Sequence, residues 1–140
     1  MRQMLEPLGY VVTVANGGRE AIRSLDRELI DLIVTDILMY DMDGFELIVA
    51  LRKDFPEIPV IAISGGGNLG AETYLVIAKG FGADGVLLKP VACDELVKTI
   101  RAIESGSTRT ESRSKPLAEW TVVEAQHASQ EASHLHPVAS

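Results

Sequence analysis

The chain has 140 residues, a formal net charge of -7 and a single cysteine. That length makes one ordinary domain with enough chain to bury a core, while the acidic balance argues against a binder of nucleic-acid backbones. One cysteine excludes an intrachain disulfide and fits a reducing compartment. No apolar run approaches the roughly 18 residues of a membrane-spanning helix, and the first residues lack the apolar core of a signal peptide, so the expected setting is the cytoplasm.

In chain order, Met1, Met4, Leu5 and Leu8 form a helical stripe stopped by Gly9. Short continuous apolar runs follow at Val11–Val14, Leu32–Val34, Val60–Ile63 and Val86–Leu88. Runs without polar alternation suit strands covered on both faces, as in a parallel sheet. Between them lie helical stripes: Ala21, Ile22 and Leu25; Phe45, Ile48 and Leu51; Tyr74, Ile77, Ala78 and Phe81; and, after the last strand, Cys93, Leu96, Val97, Ile100 and Ile103. Strands alternating with helices predict an α/β, doubly wound parallel sheet with right-handed crossovers. An α/β unit ordinarily opens on a strand, whereas this pattern opens inside a helix.

The composition changes near Ser105. Residues 1–104 read as the folded domain and 105–140 as a linker and disordered tail. In that tail Leu117, Trp120 and Val123 are spaced as on a short helix, and His134 and His136 read as solvated rather than metal-binding. Cys93 on an apolar helix face reads as a buried structural thiol. Gly65–Gly70 lacks the Gly-Lys-Ser/Thr ending of a nucleotide loop and reads as a mobile loop.

Ligands of open α/β sheets bind beyond the carboxyl ends of the strands. Those ends carry Asp36, Ser64 and Lys89. A carboxylate can attack phosphorus and become an acyl phosphate. The transferring phosphoryl group needs a cation and positioned donors, which Lys89, Ser64 and the glycines after it can supply. Each residue alone has a plainer role: Asp36 capping loop amides, Lys89 solvated beside a turn proline, Ser64 in turn chemistry. Together at one end of successive strands they favour a phosphoryl site.

Asp31-Leu-Ile-Val-Thr-Asp36-Ile-Leu-Met-Tyr-Asp41-Met-Asp-Gly44-Phe-Glu-Leu47 resembles the phosphoacceptor segment of bacterial response regulator receiver domains. Pro59–Gly65 resembles the family's fourth strand with its Thr/Ser, Gly82–Pro90 its fifth strand with the Lys-Pro end, and Leu5–Tyr10 the end of its first helix. The resemblance spans about residues 1–104 and implies a flavodoxin-like sheet of order 2-1-3-4-5. It implies that Asp36 accepts a phosphoryl group from a histidine kinase or phosphotransfer protein, that Ser64 and Lys89 contact that group, and that a cis bond precedes Pro90. It further implies that Asp36 and the backbone carbonyl of Leu38 hold Mg2+, and that residues 74–104 pass the signal to a downstream protein. The implied role is a signalling phosphoacceptor rather than an enzyme, without nucleic-acid or membrane partners, with a homodimer as one permitted assembly.

Three departures qualify the likeness. The family's first strand, which ends in an acidic pair, has no counterpart before residue 1. The flanking strands should therefore border an empty slot, and Mg2+ binding should weaken. The gap has three resolutions: a natural start upstream of Met1, direct pairing of the flanking strands, or a strand donated by a partner; the first is the favoured expectation. Tyr40 replaces a usual Pro, and Val86 replaces a usual aromatic. The alternative function is a phosphate-independent interaction module. An aspartyl phosphatase ranks last, because Leu38 stands where such enzymes carry a second Asp.

Overall fold

The computed structural model describes residues 1–27, 29–37, 42–65, 70–106 and 120–126. Helix α1 (Arg2–Leu5) runs into a 3-10 turn over Glu6–Leu8, which ends at Gly9 with φ 100°, the left-handed conformation that glycine adopts without a Cβ clash. The succeeding elements are β1 (Val11–Asn16), α2 (Gly18–Arg27), β2 (Leu32–Asp36), α3 (Gly44–Asp54), β3 (Val60–Ser64), α4 (Ala71–Phe81), β4 (Gly85–Leu88), α5 (Cys93–Gly106) and β5 (Thr121–Gln126). Every apolar run and helical stripe read from the sequence between residues 10 and 104 falls inside one of these elements, and the stripe from Met1 to Leu8 spans α1 and the 3-10 turn.

All strand pairs are parallel, and the sheet order is β1-β5-β2-β3-β4. The two faces hold separate cores. On one, Leu47, Ile48 and Leu51 of α3, Ala21 of α2 and Ala78 of α4 pack on Ile33, Val60, Ala62, Val123 and Ala125. On the other, Leu5 of α1 with Leu96 and Ile100 of α5 packs on Val12, Leu32, Val34, Ile61, Ile63 and Val122. Both faces being covered is why β2 and β3 read as unbroken apolar runs.

The sequence-based expectation of an empty slot is corrected here, and so is that of a disordered tail from 105 onward. β5, drawn from the tail, lies between β1 and β2. It pairs Val11 through Asn16 with Thr121 through Gln126 on one side, and Leu32 through Thr35 with Val122 through Ala125 on the other. Its entrance is fixed by Asp31. The buried Asp31 carboxylate accepts from the Thr121 N–H at 2.8 Å, and the Asp31 N–H donates to the Thr121 carbonyl at 2.9 Å. Trp120 packs on the α1/α5 face at 1% exposure. The reason is elementary: an open slot would leave two rows of backbone donors and acceptors unpaired, and Thr121-Val122-Val123 is a β-branched run that suits a strand. α5 also runs on to Gly106, past the expected boundary.

Cys93 is a second correction. It is exposed, with its thiol 3.7 Å from the Met4 carbonyl oxygen. The apolar stripe of α5 meets the core one turn later, at Leu96 and Ile100, so the helix's first residue projects past the packed layer. Leu117, His134 and His136 lie outside the described residues, as does most of the Gly65–Gly70 loop.

Candidate functional site

The carboxyl ends of three adjacent strands build the site. β2 ends on Asp36, β3 on Ser64, and Lys89 follows β4. Two backbone hydrogen bonds lock these ends in register: Ile37 N–H to the Ile63 carbonyl at 3.1 Å, and Lys89 N–H to the Ser64 carbonyl at 3.0 Å. The Lys89 ammonium lies 2.9 Å from the Asp36 carboxylate. The pair is only partly shielded, with side-chain exposures of 49% for Lys89 and 21% for Asp36, so it stays open to an incoming group. Ser64 is buried. The Lys89–Pro90 bond is cis.

Two glycines allow the close approach. The Gly44 N–H donates to the Ile37 carbonyl at 2.6 Å, and a Cβ at Gly44 would stand 2.6 Å from both the Asp36 carbonyl oxygen and Ile37 Cα. The chain therefore folds back against the residue after Asp36 only because Gly44 has no side chain. It then enters α3 through a capping box, in which the Asp43 carboxylate accepts from Glu46 N–H at 2.8 Å and the Glu46 carboxylate from Asp43 N–H at 3.2 Å. At Gly65 a Cβ would meet Lys89 Cδ at 3.0 Å, so the lysine stem crosses directly over that glycine.

A cavity of about 510 Å³ opens beside the pair. Asp36, Lys89, Val34, Ile63, Glu124 and Gln126 are among its walls. Glu124 is thus a site residue that sequence reasoning missed, because it lies in the segment read as a tail. Its carboxyl group is held above the ordinary carboxylate range: burial is the main cause and the Asp36 charge adds to it, while the amino terminus, Arg2 and Lys89 pull the other way. Of the expected metal-holding groups, Asp36 is in place and Leu38 lies outside the described residues. Among the described residues no group of three or more His, Cys, Asp or Glu converges as a metal site.

The arrangement sets a partly exposed carboxylate against an ammonium at the carboxyl edge of the sheet, a pairing in which the cation can offset negative charge gathered at the carboxylate.

Residues 1–101 match the family model described as "Response regulator receiver domain". The transcriptional regulatory protein GlrR of Escherichia coli (strain K12) is 36% identical over 106 residues, covering 75% of this chain and 23% of GlrR. The luminescence regulatory protein LuxO of Vibrio campbellii is 33% identical over 99 residues, covering 71% of this chain and 21% of LuxO. The chain thus spans less than a quarter of the length of these curated relatives. Among solved structures, the receiver domain of NtrX from Brucella abortus superposes with a TM-score of 0.67 at 27% identity, covering 76% of this chain and 88% of that one.

Proposed function

The chain belongs to the response regulator receiver domains of two-component systems, and on that premise we propose that Asp36 is its phosphoacceptor, phosphorylated by a histidine kinase or phosphotransfer protein. The observation that carries the reading is the 2.9 Å pairing of Lys89 with Asp36 at the carboxyl edge of the sheet. A carboxylate oxygen of Asp36 attacks the phosphorus of a phosphohistidine. The P–N bond breaks, its electron pair stays on the imidazole, and Asp36 becomes an acyl phosphate. Lys89 offsets the charge spread over the phosphoryl oxygens, and the Ser64 hydroxyl donates to one of them. The family is one of signalling domains, so uptake and loss of the phosphoryl group are the only chemistry proposed.

Mg2+ is the expected cofactor. Magnesium takes one or two carboxylates, keeps waters and completes its shell with phosphate oxygens. The described donor set falls short of a preformed site, since Asp36 is the one family ligand in place and Lys89 already engages it. Mg2+ affinity should therefore be low before the phosphodonor arrives.

The output reading is contact with a downstream protein through α4, β4 and α5, residues 74–104. Val76 of α4 at 73% exposure and Leu88 of β4 at 44% supply apolar anchors there. The same reading sets the chain in the cytoplasm, where kinase phosphotransfer occurs; among the described residues, no helix is long and apolar enough to cross a membrane. A phosphate-independent interaction module is the second reading, favoured by the fact that no acidic cluster converges among the described residues.

Intact mass after incubation with acetyl phosphate, with and without Mg2+, decides between them. One phosphoryl adduct, absent from Asp36→Asn, is the expected outcome. No adduct in either protein would overturn the phosphoacceptor reading for this chain.

A further inference from the structure

We propose that Gln126, at the carboxyl end of β5, orients the water that hydrolyses the aspartyl phosphate and so sets how long Asp36 stays phosphorylated. This deepens the phosphoacceptor reading and rests on it.

Three observations carry the inference. The first is register. β5 runs parallel to β2 with Thr35 opposite Ala125, so the next residues, Asp36 and Gln126, leave adjacent strands at the same level. Level residues on neighbouring strands share a face and stand roughly 4.8 Å apart, and both of these line the same cavity. The second is placement around Asp36. β3 and β5 flank β2 on opposite sides. Ser64 and Lys89 meet Asp36 from the β3 side, whereas Gln126 meets it from the β5 side. Glu124 stands opposite Val34, two residues below that level. The third is access for water. Gln126 is half-buried and also lines a second cavity, of about 430 Å³, with the exposed residues Arg2, Gln3 and Glu6.

A carboxamide suits the task. It is uncharged and adds no repulsion toward phosphoryl oxygens, and it offers both an acceptor and two donors. The glutamine side chain is one methylene longer than that of aspartate, so its amide reaches the level of a group bonded to the Asp36 carboxylate. The Gln126 carbonyl oxygen accepts from the attacking water, and its N–H donates to a phosphoryl oxygen, the kind of water-positioning role that glutamine fills in other phosphoryl transfers. The water oxygen bonds to phosphorus as the bond from phosphorus to the Asp36 oxygen breaks. The electron pair returns to the Asp36 carboxylate, and inorganic phosphate leaves with both protons of the water.

The experiment phosphorylates the full chain with acetyl phosphate and Mg2+, removes the donor by desalting, and follows loss of the adduct by intact mass. Gln126→Met keeps the length of the side chain and removes the amide. It should lose the phosphoryl group roughly tenfold more slowly than wild type, less than the roughly hundredfold effect of a fully enclosed oxyanion donor, and this slowing should exceed any change in its rate of uptake. Gln126→Asn keeps the amide with a shorter reach and should fall between the two, a second and polar variant at this strand end. In water enriched in oxygen-18, wild type should release labelled phosphate and leave Asp36 unlabelled.

An adduct that decays equally fast in wild type and Gln126→Met overturns the proposal. So does equal slowing of uptake and loss, which would assign Gln126 to the general shape of the site. Label entering Asp36 would place the attack on the acyl carbon and overturn it as well. Absence of an adduct from every protein, wild type included, would instead overturn the phosphoacceptor reading and the proposal with it.

Discussion

At Gly44 a single methyl group would reach the backbone of Asp36. Its Cβ would lie 2.6 Å from the Asp36 carbonyl oxygen and from Ile37 Cα, both backbone atoms that cannot step aside. Gly44→Ala is therefore expected to cost about 1–3 kcal/mol, read as a lowered urea midpoint. Gly65 presents the opposite case. A Cβ there meets the flexible stem of Lys89 at 3.0 Å, so Gly65→Ala should leave the urea midpoint nearly unchanged while displacing the ammonium and slowing phosphoryl uptake. Equal losses of stability in the two variants would contradict this distinction. Glu124 adds a pH dependence. Its folded-state pKa is raised, chiefly by burial, so the folded chain holds the proton more tightly than the unfolded one. Stability then falls as pH rises from the ordinary glutamate range through the raised folded value, and the penalty is complete above it. Glu124→Gln should accordingly melt higher than wild type at neutral pH and equal to it at pH values below the glutamate range. A difference that stays constant across pH would assign the effect to packing.

At the scale of elements, β5 is where the sequence was hardest to read and where the fold is most exposed to mutation. Trp120 and Val122 fill the core beneath α1 and α5, and Val123 and Ala125 the core beneath α2, α3 and α4. Removing the indole should cost about 3–5 kcal/mol, the usual range for a large buried aromatic, so Trp120→Ala is expected to lower the thermal midpoint by well over 10 °C in a chain of this size. A melt within a few degrees of wild type would mean that β5 contributes little to the sheet. The four earlier strands were legible because each is a short apolar run between helical stripes, and burial on both faces leaves no other pattern. Asp36, Ser64 and Lys89 were legible because strand ends can be counted from those runs. β5 escaped for a physical reason. It is a single β-branched run flanked by polar chain, and a spacing of three from Leu117 through Trp120 to Val123 imitates a helix. Only the empty slot called for a strand, and a slot names no occupant. Glu124 was missed as a consequence, since its place in the site exists only once β5 is docked. Cys93 was misplaced because periodicity locates a face and says nothing about where along the helix the packing begins.

For the molecule as a whole, the topology obeys one rule throughout. α2, α3 and α4 connect β1 to β2, β2 to β3 and β3 to β4, advancing in one direction along the sheet over one face. α5 connects β4 back to β5, reversing the direction, and does so over the opposite face. Reversing both direction and face preserves handedness, so all four crossovers share one hand, as parallel connections require. The receiver sheet is thus completed by moving one strand from the front of the order to the back. The structure also shows that the ends of such a rearranged chain are neighbours: Met1 and Met4 share a cavity with Glu124 and Gln126, and Met1, Arg2 and Gln3 share a second with the same pair. A permuted chain that carries residues 120–126 in front of Met1 through a short flexible linker, and ends after Gly106, should therefore fold to the same sheet. Its closing loop is short, and loop entropy changes by only about 0.6 kcal/mol per doubling of length. The permutant should reproduce the wild-type circular dichroism spectrum and melt within a few degrees of it. If instead it fails to melt cooperatively while the parent does, then β5 needs the 107–119 connection and not merely the slot.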